Sequence, residues 1–326
     1  MRIGPHDIAP GAALAPMAGI TNPPFRRLCR ELGASLTTTE LISCHAVVYV
    51  ETKARNRRRR LGVKTLANLE RYPGESPFAV QLYGREPEVM AEAARIVEQL
   101  GADIIDLNFG CPARKVVKEG RGSGVALMLD PPRLERIAAA VAGAVSVPVT
   151  AKIRTGWSPA QKNATEVARA LERAGARAVT VHARTRDQVH WGPVDLDALA
   201  AVVDAVAVPV IGNGGVRGRE DAERMTRATG CARVAVGQAS KGNPWIFREL
   251  AGGPGPPDLA GRVTTCRRHL QLYVDWCGER RAVTEMRKHA CWYLKGFDGA
   301  AAFRRRLGEA VSVEAFSRLL DEVPVG

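Results

Sequence analysis

Cys111 follows an apolar run, residues 104–108, that stops at Asn108 and turns through Gly110-Cys111-Pro112. The run reads as a buried strand that delivers a thiol to the rim of a site. Gly110 permits a turn that a side chain would hinder, and Pro112 fixes φ beyond it, so the loop can hold the sulfur in one place. An isolated cysteine at a strand end is more often a small buried side chain. Cys111 has company: polar or glycine residues recur where other apolar runs end, at Met17-Ala18-Gly19, Glu40, Gln81, Asn108, Lys152 with Arg154, His182, Asn213-Gly214-Gly215 and Gly237. Glycines at 214, 215 and 237 let backbone amides approach an anion closely, the chemistry of a phosphate site. Gln81, Lys152 and His182 can face a polar ring system, with Lys152 placing positive charge beside an anionic cofactor. Taken singly, Lys152 would be an ion-pair partner in a core and His182 a satisfied strand-end histidine. Their recurrence at one strand end after another favours a site.

Such residues need a frame that lines up strand ends. Apolar or β-branched runs at 13–16, 36–40, 78–82, 104–108, 149–154, 178–182, 210–213 and 234–237 alternate with amphipathic segments such as 86–100, 131–144, 159–174 and 218–229. Those periods suit helices packed on a parallel sheet. Gly33, Gly101, Gly175 and Gly230 close helical patterns, where glycine takes the left-handed conformation that ends a helix. Two strands open alike, at Val147-Pro148-Val149 and Val208-Pro209-Val210. The repeat predicts an α/β protein built on a TIM (β/α)8 barrel, and no Gly-x-Gly-x-x-Gly follows the first strand to favour a doubly wound sheet. In a TIM barrel the loops after strands seven and eight form the usual phosphate site. Residues 1–250 make this barrel, 251–257 read as a Gly/Pro linker, and 258–326 as a small all-α helical domain with helices at 259–277, 283–294, 300–307 and 313–320.

The 326 residues suffice for a barrel with an appendage. A net charge of +13 points to an acidic partner, with nucleic acid ahead of membrane. No stretch approaches the roughly 18 apolar residues of a membrane span, and the N-terminus lacks an apolar signal core, so a cytoplasmic protein is expected. Seven scattered cysteines without a Cys-x-x-Cys pair argue against a disulfide framework and against a zinc site; no metal is expected. The tail interleaves Arg267, Arg268, Arg287, Lys288, Arg304, Arg305 and Arg306 with Tyr273, Trp276, Trp292, Tyr293 and Phe303. Two readings of it stand level: a clamp that stacks on RNA, or a bundle with a solvated basic face and an aromatic core. The basic run 53–60 reads as a solvated charge run.

The order and spacing of Ala15-Pro16-Met17-Ala18-Gly19-Ile20-Thr21, Gln81-Leu82, Leu107-Asn108-Phe109-Gly110-Cys111-Pro112, Lys152-Ile153-Arg154-Thr155-Gly156-Trp157, His182-Ala183-Arg184-Thr185-Arg186 and Asn213-Gly214-Gly215 resemble the tRNA-dihydrouridine synthases. The resemblance spans nearly the whole chain. Gly242-Asn243-Pro244-Trp245-Ile246-Phe247, Arg287-Lys288-His289 and Trp292-Tyr293-Leu294-Lys295-Gly296 are closest to the bacterial B-type branch. It implies an FMN-containing barrel and a helical tRNA-binding domain that together reduce a uridine C5–C6 double bond in tRNA, with NADPH as reductant and no obligate protein partner. It further implies Cys111 as proton donor, and Pro16, Met17, Ala18, Gln81, Lys152, His182, Asn213, Gly214, Gly215, Gly237 and Gln238 around FMN. Asn108, Arg154 and Arg184 would lie near the uracil, and Arg287, Lys288 and Arg304 against tRNA. Gln238 departs from the family, which usually has arginine there, so a bidentate phosphate contact is lost. A thiol with an ordinary pKa near 8.5 stays protonated at neutral pH, a good match for a general acid. The alternative is a small-molecule FMN-dependent reductase or dihydropyrimidine-type dehydrogenase on the same barrel; the basic tail favours tRNA.

Overall fold

A computed structural model describes residues 1–55, 67–119 and 122–325; the side chains of the basic run 53–60 fall outside that description. Among the described residues eight strands form one parallel sheet: β1 (Ala13–Leu14), β2 (Ile42–Ser43), β3 (Ala79–Tyr83), β4 (Ile104–Asn108), β5 (Val149–Arg154), β6 (Val179–His182), β7 (Val210–Asn213) and β8 (Arg233–Val236). Their neighbour order is β1-β8-β7-β6-β5-β4-β3-β2. The ring closes through the segment expected to be the second strand. Thr37 bridges to Leu14, Thr38 bridges to Ala79, and the Leu14 N–H donates to the Leu36 carbonyl at 2.8 Å. That stave is therefore split, its first half holding single bridges and its second half, β2, pairing with the far end of β3.

Strand residues two apart share a face, and this sorts the barrel into layers. Ala79, Ile104, Ala178, Ile211 and Ala235 make an apolar floor with Ile3 and Ile8, which an N-terminal hairpin supplies. Two residues further along, the same faces carry Gln81, Asp106, Thr180, Asn213 and, just past the end of β8, Gly237. The intervening residues, among them Val80, Ile105, Leu107, Ile153 and Val181, are buried against the outer helices.

Those helices are α1 (Pro23–Glu31), α2 (Cys44–Arg55), α3 (Pro87–Gln99), α4 (Pro131–Ala142), α5 (Ala164–Arg173), α6 (Leu196–Ala205) and α7 (Arg219–Thr229), with α8 (Ile246–Leu250) last. Gly33, Gly101, Gly175 and Gly230 take φ of 98°, 93°, 96° and 67°, as helix-ending glycines do. α5 begins later than its periodicity predicts because Gly156–Ser158 and Gln161–Lys162 pair as a small hairpin.

The C-terminal helices are α9 (Leu259–Cys277), α10 (Glu279–Tyr293), α11 (Ala300–Glu309) and α12 (Val313–Asp321). α10 starts before the predicted residue 283 because Gly278, at φ 76°, turns the chain directly from α9 into it. Tyr273, Tyr293 and Phe303 are buried, so these three belong to the bundle core and offer no face to RNA. The same core takes in Leu28 of α1 and Trp245 before α8, tying the tail to the barrel. Trp276 and Trp292 are partly exposed; the Trp276 indole N–H donates to Glu70 at 2.9 Å, and the Lys241 ammonium lies 4.9 Å from the Trp292 ring centre. No helix among the described residues is long and apolar enough to cross a membrane.

Candidate active site

Strand register brings the chemistry together. Gln81 lies beside Asp106, Asn108 beside Lys152, and Arg154, His182 and Asn213 form one row across three strands. Because the strands are parallel, every one of these residues sits toward a carboxyl end, at the same mouth of the barrel.

One relay of hydrogen bonds fixes the thiol loop. Thr150 Oγ1 and Gln81 Nε2 each donate to the buried Asp106 carboxylate at 2.7 Å. With its amide N–H spent there, Gln81 presents Oε1 to Asn108 Nδ2 at 2.7 Å, which leaves Asn108 Oδ1 facing the loop. That oxygen accepts the N–H groups of Gly110 at 3.2 Å and Cys111 at 2.9 Å. An amide nitrogen only donates and an amide oxygen only accepts, so the Gln81 bond to Asp106 sets the direction of each amide above it. Gly110 does not take a left-handed conformation; a Cβ there would come 3.2 Å from the Ile153 carbonyl carbon, so close approach to β5 is what calls for glycine. Arg154 ties down both sides of the site, Nε donating to the Gly110 carbonyl at 2.8 Å and Nη1 to the Thr185 carbonyl at 2.9 Å.

Burial and crowded cations set the protonation states. Burial pushes Lys152 down to about 7, Arg154 adds to the effect, and Asp106 and Cys111 oppose it. The Lys152 ammonium donates to Asn213 Oδ1 at 2.9 Å, and Asn213 Nδ2 in turn donates to the Ala235 carbonyl at 2.8 Å. Asp106 is raised above the ordinary carboxylate value by burial, against its hydrogen bonds from Thr150 and Gln81 and the Lys152 charge. Burial, then Lys152, Arg154 and Arg184, hold His182 well below its ordinary value, so its imidazole is neutral. Its Nε2 faces Arg184 Nη1 at 3.4 Å; since arginine only donates, Nε2 is the acceptor. Cys111 is raised by burial, which outweighs the Ala113 backbone amide, Arg154 and Lys152. Its thiol is protonated at neutral pH.

These groups open onto a cavity of about 1100 Å³. Its wall holds Pro16, Met17, Ala18, Gln81, Asn108, Cys111, Lys152, Arg154, His182, Arg184, Asn213, Gly214, Gly215, Gly237 and Gln238, every barrel residue that the sequence marks for cofactor or substrate. Among the described residues no carboxylate lines it, whereas Arg217 and Lys241 extend its positive rim. Gly214 sits at φ 104°, and a Cβ there would come 2.7 Å from His182 Cδ2, so that turn admits glycine alone. Gln238 opens a short turn, Gln238–Ser240, at the wall. A volume of this size, a glycine cradle and a described lining whose charged side chains are all cationic fit a phosphorylated ring cofactor with room for a base.

The three tail residues lie apart from this cavity. Arg287 Nη2 donates to the Ala310 carbonyl at 2.6 Å and Arg304 Nη1 to the Leu294 carbonyl at 3.2 Å, each closing the end of a helix. Lys288 pairs with Glu285 at 2.6 Å. Lys295 and Arg305 are exposed, and their side chains make no hydrogen bond or ion pair among the described residues. Asp106, the root of the relay, escapes the sequence reading as one acid inside an apolar strand. Its signal is the period-two step that ends at Asn108.

The family described as "Dihydrouridine synthase (Dus)" matches residues 13–324. The chain is 39% identical to tRNA-dihydrouridine synthase B of Pseudomonas syringae pv. tomato, over 97% of this chain and 91% of that one. It is 40% identical to tRNA-dihydrouridine synthase B of Xanthomonas campestris pv. campestris, over 97% and 93%. Among solved structures, histamine dehydrogenase from Rhizobium sp. 4-9 superposes with a TM-score of 0.56 at 15% identity, covering 83% of this chain and 50% of that one, a likeness of fold alone.

Proposed function

Because the chain belongs to the dihydrouridine synthase family, we propose that it reduces the C5–C6 double bond of a uridine in tRNA to dihydrouridine, in the cytoplasm, with FMN in the barrel mouth and NADPH as reductant. The observation that carries this reading is the convergence of Cys111 and the strand-end cations on one cavity with no carboxylate among the described residues that line it, suited to phosphate and to RNA. When bound, the flavin supplies hydride to uracil C6 after reduction by NADPH.

The chain's own residues do the rest. Pro16, Met17, Ala18, Gln81, His182 and the glycines at 214, 215 and 237 shape the flavin seat, Gln238 and the backbone beside it meet the phosphate, and Lys152 offsets negative charge on the ring. Asn108, Arg154 and Arg184 orient the uracil. The Cys111 thiol, protonated because burial raises it, gives its proton to C5 as electron density builds there. A base inside folded tRNA must first be turned out into the cavity, at a cost of a few kcal/mol that phosphate contacts offset. Residues 258–326, including Arg287, Lys288 and Arg304, are proposed to face the tRNA, joined to the catalytic 1–250 by the linker 251–257.

Protein reconstituted with FMN and given NADPH and unmodified tRNA transcript should convert uridine to dihydrouridine, read by mass spectrometry of the digested RNA. Absence of flavin binding, or flavin reduced by NADPH without any RNA product, would refute this reading.

A further inference from the structure

The loop after β6, residues 186–193, has no role above, yet it carries Trp191, which is 79% exposed on the cavity wall. The loop is not slack. Arg184 donates through Nε and Nη2 to the Gly192 carbonyl at 3.0 and 2.9 Å. Gln188 accepts the Thr185 N–H at 2.9 Å and donates to the Pro193 carbonyl at 3.1 Å, while the Trp191 N–H donates to the Gln188 carbonyl at 2.7 Å. Val189 sits at φ 51°, a left-handed conformation that a β-branched residue adopts only where its surroundings impose it. His190 stacks on His182 with ring centres 5.9 Å apart, joining the loop to the site. The result is an indole held out in water on a loop whose backbone hydrogen bonds fix its shape, with Arg184, Arg217 and Lys241 lining the same cavity.

A planar apolar ring among cations fits a partner that is itself planar and anionic, which describes a nucleotide strand. We propose that Trp191 stacks on an RNA base next to the one that enters the cavity, and so holds the strand open around it. This inference rests on the RNA-substrate reading above.

The test is tRNA binding to the FMN-loaded enzyme over a range of salt. Trp191→Ala should raise Kd by about 10-fold to 100-fold at every salt concentration, the range for losing one base stack. The slope of log Kd against log salt should stay at the wild-type value, because stacking releases no counterion. Trp191→Phe keeps a platform and should recover most of the affinity. Equal affinity in Trp191→Ala and wild type overturns the inference, as does a flattened slope or a loss that phenylalanine does not restore. Wild-type protein that binds tRNA but converts no uridine would overturn the proposed function instead.

Discussion

In the proposed flavin seat, Lys152 would make flavin binding a proton-linked event. In the free protein burial and Arg154 push it down to about 7 from an ordinary 10.5, so above neutral pH its amine is neutral. A bound anion restores the charge and draws a proton in. Well above pH 7 each pH unit should therefore weaken FMN by up to about 10-fold, or about 50-fold in all between pH 7 and pH 9, for as long as the complex keeps Lys152 protonated. Calorimetry at pH 8.5 in buffers of different ionisation enthalpy should find close to one proton taken up per FMN. Lys152→Met should bind weakly at pH 7 and lose the slope. Asp106→Asn removes a charge that raises Lys152, so the break should move to lower pH. Folding of the free protein runs the other way: the unfolded lysine holds a proton that the folded one has lost, so this group adds stability as pH rises from about 7 toward 10.5. Flavin affinity that stays level from pH 7 to 9, or an unaltered slope in Lys152→Met, would refute the assignment of this lysine to the flavin.

Cys111→Ala should slow uridine reduction by about 10²–10⁴-fold, the usual loss for a general acid, while NADPH still reduces the flavin at close to the wild-type single-turnover rate. Gln238→Arg should tighten FMN by about 10-fold or more through a charge-assisted phosphate contact; an unchanged dissociation constant would mean that backbone amides already suffice. Lys295→Glu with Arg305→Glu should lower the salt dependence of tRNA binding by about one counterion per lost phosphate contact, without changing flavin content. These two residues are better probes than Arg287 or Arg304, whose guanidinium groups close helix ends. Removing the tail altogether would uncover Leu28 and Trp245, so cutting after Gly253 should give an aggregating barrel, seen as loss of soluble protein.

The sequence by itself determined which residues could meet. In a parallel barrel every strand ends at the same mouth, so polar residues closing apolar runs must gather there, and Gln81, Asn108, Lys152, His182 and Asn213 do. Helix-ending glycines likewise follow from a local conformational need, and they sit at the predicted positions. The tertiary structure alone decided what those residues touch. Asp106 directs Gln81, 25 residues earlier, and Arg184 holds the loop that displays Trp191, contacts that leave no periodic mark in the chain. It also settled the tail's aromatics: the same pattern of Tyr, Trp and Phe among arginines serves an RNA face or a core equally well until packing against α1 buries Tyr273 and Tyr293 and leaves Trp276 and Trp292 at the edge. Burial, which sets the charge of Lys152 and the proton on Cys111, belongs to the folded cavity and is written in no single residue.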